Sequence, residues 1–139
     1  MPSYEEVEKA IGAVLQAQWT FTPIAFENVP AVDLGDVSRA RLAEGEAEFI
    51  DVEILYNASQ AAEVGLNSLK RQWGNLAVDF YIKQDKGVIS TRTNLDRLAA
   101  IFEWKTISDI VFKDIEIMPS FKRNGWHIVP TMVRFYFCR

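Results

Sequence analysis

Histidine and cysteine are nearly missing from this chain: one of each in 139 residues, His127 and the penultimate Cys138. A zinc site draws on several such ligands, so the parts for one are lacking. A lone cysteine forms no intrachain disulfide, which suits a reducing compartment. The 7 glycines are scattered and form neither GxGxxG nor GxxxxGK[ST], so no phosphate cradle is legible. No apolar run approaches the roughly 18 residues of a membrane span. The N-terminal MPSYEEVE is acidic where a secretory signal is basic. A cytosolic protein without membrane contact is expected. A nucleophile–base arrangement would have to use His127, beside Trp126 in an expected strand, where a histidine is expected to be structural.

What is present reads as one globular α+β domain over residues 1–139. Hydrophobic content is 49% and charged content 24%, ordinary for a soluble fold. Ser3 with Glu6 fits a capping box, and Tyr4, Val7, Ile11, Val14 and Leu15 repeat at helical spacing, predicting a helix over 4–18. Pro23 and Pro30 fence a short extended edge at 24–29. Residues 31–45 have no clear period and read as a long loop. Alternation then predicts two half-buried strands, paired antiparallel. Residues 48–56 turn Ile50, Val52, Ile54 and Tyr56 inward, and residues 75–83 turn Leu76, Val78, Phe80 and Ile82 inward. The connection 57–74 is too long for a tight hairpin and reads as an extended arm or a helical turn near 61–69. After the cluster at Ser90–Asn94, a second helix is expected over 93–104, with Leu95, Leu98, Ala99 and Phe102 on one stripe. Strands at 110–118 and 126–138 follow, joined by a turn at Asn124-Gly125. Both helices are expected on one face of a mainly antiparallel sheet.

The remaining chemistry is carboxylate and tryptophan. Asp51 and Glu53 share a strand face, and Asp79 is expected across from them. With Ile115 and Ile117 inward, Asp114 and Glu116 join the same outer surface. Paired carboxylates serve acid–base or metal chemistry, but on an open sheet they are usually the solvated side of the alternation. An acidic surface facing a partner, or facing passing DNA, is the favoured reading. Of Trp19, Trp73, Trp104 and Trp126, at least two are expected to pack at core edges, subunit contact being the alternative. Net charge is −4, so indiscriminate nucleic-acid binding is not expected. Residues 1–60 hold 11 acidic and 3 basic side chains (−8), and residues 61–139 hold 8 and 12 (+4). Opposite charge on opposite faces would suit identical subunits joining head to tail.

A helix ending near Trp19, followed by PIAFENVP at 23–30, resembles the small phage tail terminator-like proteins. In that family a Trp/Phe-Glu-Asn-Val/Ile-Pro segment follows the first helix. The C-terminal half is similar in order. A helix reaching Phe102 leads to a strand ending in Met118-Pro119, then to Gly125-Trp126. A last strand, HIVPTMVRFYF at 127–137, then carries Val129-Pro130, like the family's closing Val-Pro-Val-x-Ile-x-Tyr. The resemblance implies a structural virion protein of the tail, assembled in the host cytoplasm and without enzymatic activity or cofactor. Such proteins form a hexameric ring that caps the tail tube, ends its polymerisation and meets the head connector. DNA passes through without specific binding, and the free protein can be a monomer. Glu27 and Asn28 would organise a turn or pair with a neighbouring subunit, and Lys70, Arg71 and Trp73 would lie at a subunit or tube interface. Two alternatives stand beside this: another head–tail joining or tail-completion protein, and a small cytosolic α+β enzyme using the Asp51/Glu53/Asp79 face.

Overall fold

A computed structural model describes residues 3–22, 24–26, 48–61, 70–83, 89–123 and 125–138. The fold is α+β: among the described residues, two helices lie on one face of a mainly antiparallel sheet of seven strands.

Helix α1 (Tyr4–Gln18) begins where Ser3, in extended conformation, accepts a hydrogen bond at its Oγ from Glu6 N–H at 3.2 Å. That bond satisfies one of the orphan donors of the first turn. Val7, Ile11 and Leu15, four residues apart, are buried. The helix stops at Trp19, whose N–H donates to Leu15 O at 2.8 Å. The indole packs near Phe80 and donates to Thr22 Oγ1 at 2.9 Å.

The strands are β1 (Ile24–Phe26), β2 (Glu48–Ala61), β3 (Lys70–Lys83), β4 (Thr106–Ile107), β5 (Ile110–Ile117), β6 (Phe121–Arg123) and β7 (Trp126–Cys138). They lie in the order β1-β2-β3-β7-β5-β4, with β6 also on β7. β1 is an edge strand parallel to β2; every other pairing is antiparallel. The 57–74 connection is shorter than its sequence suggests. β2 and β3 run on past Tyr56 and Asn75 until Ala61 faces Lys70, across a register shift between Tyr56 and Ser59. The polar, irregular residues there hid a strand whose pairing continues through a bulge. Only 62–69 of the expected arm, together with the 31–45 loop and residues 27–30, lies outside the described residues.

Helix α2 (Ile89–Phe102) starts four residues before the expected 93 and ends two before 104. Thr91, expected ahead of the helix, and Asn94, expected at its start, are buried within it beside Leu98, Ile101 and Phe102. Their spacing places them on the core stripe, and burial overrides their weak helical propensity. Val7, Ile11, Leu98 and Phe102 join Val52, Val78 and Phe80 in one core, with Val14, Leu95 and Ile54 packed against it. Thr131, buried in this core, donates from Oγ1 to Val78 O at 2.7 Å. β4 and β5 are joined by Ser108 and Asp109, both at positive φ (50° and 67°), as a tight hairpin of right-handed twist requires. No helix among the described residues is long and apolar enough to cross a membrane.

Candidate functional site

The outer face of the sheet, opposite the helices, carries most of the residues singled out above. The period-2 rule sends the odd-numbered residues of β2 and β3 there, with the even-numbered residues of β7. The register then sorts them into rows across the strands. At one end Phe49, Tyr81 and Ile128 lie abreast, and with Trp126 they form a second, buried apolar cluster. Phe49 and Tyr81 stack at 4.6 Å between ring centroids. The next row sets Asp51 against Asp79. The one after places Glu53 beside Ala77, Met132 and Glu116. Asp51, Glu53 and Asp79 therefore meet on one face, as the alternation predicts.

Asp114 and Glu116 join that surface as expected, with Ile115 and Ile117 on the helix side, but through a bulge. Phe112 pairs with Phe135 and Ile115 with Val133, so two residues of β5 oppose Arg134 alone. The bulge is held from outside: Ile115 N–H donates to Glu103 Oε2 at 2.8 Å. Ile115 packs on the core, and Ile117 points to the same helix side, where it lines an open groove and stays 55% exposed. Asp114 lies 3.8 Å from Arg134, both side chains more than half exposed, a geometry that contributes little to stability. With Asn75, Glu116 and Met132 they line a small cleft of about 120 Å³.

Beyond Arg134 the face turns aromatic and basic. Trp73 of β3 lies directly across from Tyr136 of β7, rings 4.8 Å apart. Arg71 stands over Tyr136 at 4.6 Å, and Arg134 over Trp73 at 5.4 Å. Lys113 lies between Tyr136 (5.5 Å) and Trp104 (5.9 Å), carrying the ladder to the sheet edge. The Arg71 Nε is buried and has no hydrogen-bond partner among the described residues. Trp104 is 67% exposed and sits at φ 59° just past the end of α2. A bulky residue in that backbone region is a genuine outlier. Arg71 and Trp73 were named from sequence; Tyr136, Lys113, Arg134 and Trp104 complete the ladder only through strand register. Trp19 and Trp126 are buried, so two of the four tryptophans pack at the core edge.

The other named residues fall elsewhere. Lys70 is exposed at the start of β3, opposite Ala61, in a strand rather than an arm. Glu27 and Asn28 lie outside the described residues. His127 lines an open groove of about 440 Å³ on the helix side, with Leu95, Ile117 and Val129 among its neighbours. Lys122 and Arg123 form the exposed β6 tip. The two halves of the chain do not divide cleanly between faces, since Asp51 and Glu53 share the outer face with Arg71, Lys113 and Arg134. Among the described residues, no group of three or more His, Cys, Asp and Glu is placed to hold a metal ion.

Directly across the sheet from the ladder sits the acidic start of α1. Tyr4 packs edge-on against Tyr56 and Phe137, and its hydroxyl donates to Gln72 Oε1 at 2.7 Å. Gln72, 2% exposed, in turn donates from Nε2 to Asn57 O and Trp73 O. Burial, and then the Glu8 carboxylate, push the Tyr56 phenol up to about 12. Glu5 is held below the usual carboxylate range by its hydrogen bond to Lys9, 2.7 Å away.

No family model and no curated protein matches the sequence. Ten solved chains do match the structure. One of them is 13% identical, with a TM-score of 0.65 over 98% of this chain and 96% of its own. At that identity the likeness establishes a shared fold and nothing about activity.

Proposed function

We propose that the protein is a phage tail terminator-like structural protein: it caps the tail tube as a ring, stops tube growth and offers a surface to the head connector. The observation that supports the reading is that two of the C-terminal segments bearing the resemblance meet in space. Met118 N–H donates to Pro130 O at 2.9 Å, tying the Met118-Pro119 strand end to the Val129-Pro130 start of β7. Trp19 closes α1 above the same sheet, and Trp126 opens β7. A face rich in Trp, Tyr and Arg is also the composition at which binding energy concentrates in protein interfaces.

The test is tube capping. Tail tube protein polymerised with this chain should give shorter tubes with a terminal ring by electron microscopy. Tubes that grow to the same length with bare ends overturn the reading. The enzyme alternative rests on Asp51 facing Asp79; stoichiometric divalent-metal binding at that pair in calorimetry would favour it.

A further inference from the structure

We propose that the aromatic–basic end of the outer sheet face docks the acidic start of helix α1 from a second copy of this chain, stacking copies front to back. The proposal deepens the ring reading above and rests on its premise of self-assembly.

Three observations lead here. The first is a bulky residue in strained backbone without an internal return. Trp104 sits at φ 59° at the sheet edge, beside a hairpin whose Ser108 and Asp109 take positive φ as its turn requires. Strained backbone of this kind gathers at functional sites. Trp104 keeps 67% of its surface exposed, so packing within the chain does not explain its place. The second is the ladder that continues from it through Lys113, Tyr136, Arg71, Trp73 and Arg134, in which a cation stands beside each ring. Carboxylates arriving over such a surface meet charge and apolar area together.

The third observation fixes the occupant. Gln72 and Phe137 face the helices, between Arg71, Trp73 and Tyr136, which face away. Tyr4 sits on Gln72 and Phe137, so Glu5, Glu6 and Glu8 lie on the front of the sheet where the ladder lies on its back. Glu5, Glu6 and Glu8 are exposed. One molecule thus presents opposite charge at the same lateral position on its two sides. A simple front-to-back approach brings the α1 carboxylates of one copy onto the ladder of the next. The contact is heterologous, so it repeats, and it closes into a ring if the rotation between copies allows.

The test uses two blocked variants of the full chain, without tube protein. Arg134→Glu reverses charge on the back, and Glu6→Arg reverses it on the front. Wild type should associate beyond a dimer at low ionic strength, and each variant alone should associate at least tenfold more weakly in sedimentation. An equimolar mixture of the two should regain association beyond a dimer, because an unaltered front meets an unaltered back at one contact and the two reversed charges complement each other at the next. Zero-length carbodiimide crosslinking should join Lys113 to an α1 carboxylate in the covalent dimers. Trp104→Gly should weaken wild-type association at least tenfold with no fall in melting temperature.

Wild type that stays monomeric and uncrosslinked to millimolar concentration overturns the proposal. So does a mixture that fails to pair, which is the result expected if copies meet back to back through the Asp51 and Asp79 rows. Failure to stack leaves tube capping free to occur through another surface. Failure to cap tubes, with stacking intact, removes the tail reading and keeps this contact.

Discussion

Gly74→Ala tests the sheet at its tightest point. Gly74 faces the core in β3, flanked by Tyr56 on β2 and Phe135 on β7. A Cβ added there would stand 2.6 Å from Phe135 Cζ and 2.7 Å from Leu55 O. Neither neighbour can give way easily. Leu55 O is backbone of the paired strand. Phe135 is fully buried, with Tyr56, Phe112 and Phe137 rings at 6.3, 5.7 and 6.4 Å. Forcing a methyl into such a core costs about 1–3 kcal/mol. Against this, alanine is favoured over glycine in a strand by roughly 0.5–1 kcal/mol. The net expectation is a loss of about 1–2 kcal/mol, and a fall in melting temperature of roughly 3–8 °C for a chain of this size. Urea unfolding of Gly74→Ala, Phe135→Leu and the double variant closes the cycle. Removing the ring should relieve part of the clash, so the double variant should be more stable than additivity allows by about 0.5–1.5 kcal/mol. A neutral or stabilising Gly74→Ala, or strictly additive effects, would refute the packing argued here.

Leu98→Ala, at a fully buried α2 position, should cost about 2–5 kcal/mol in urea unfolding; a negligible change would mean that α2 is peripheral. Trp104→Gly should raise stability by up to about 1 kcal/mol, because glycine accepts the φ of 59° freely. A clear loss in thermal unfolding would mean that the indole packs more than its exposure indicates. Tyr56→Phe should flatten the alkaline limb of the stability profile. The folded phenol keeps its proton to about pH 12, whereas the unfolded one ionises near its ordinary 10.0. Between those values the unfolded state binds fewer protons, so stability falls as pH rises, and phenylalanine removes that contribution. Melting curves from pH 9 to 12 that coincide for the two proteins would refute it.

Much of the fold can be read directly from the sequence because one face of the sheet is dry. Where Ile50, Val52, Leu76, Val78 and Phe80 must all point inward, alternation reports both strand and face. The same logic located α1, where a serine cap and a four-residue apolar spacing agree. It failed where pairing, not pattern, defines the strand. The ends of β2 and β3 continue through a bulge, and β4 and β6 are only two and three residues long. It also misjudged the start of α2, where the polar cluster at 90–94 reads as preceding the helix, yet Thr91 and Asn94 lie in the core.

The surface of interest was harder to read for a related reason. Trp73, Lys113 and the pair Arg134 and Tyr136 come from three strands far apart in the chain. Only the register that pairs Trp73 with Tyr136, and the bulge that sets two β5 residues against Arg134, brings them onto one patch. Charge counted along the chain pointed to opposite faces, but the sheet arranges it differently. Along the outer face, rows pass from buried apolar to acidic to aromatic and basic, at about 6.8 Å per two residues. The acidic start of α1 then lies behind the basic rows. A polarity running through the sheet, in addition to one running along it, gives identical copies a reason to meet front to back rather than face to face. It appears only once helix and strands are in place together.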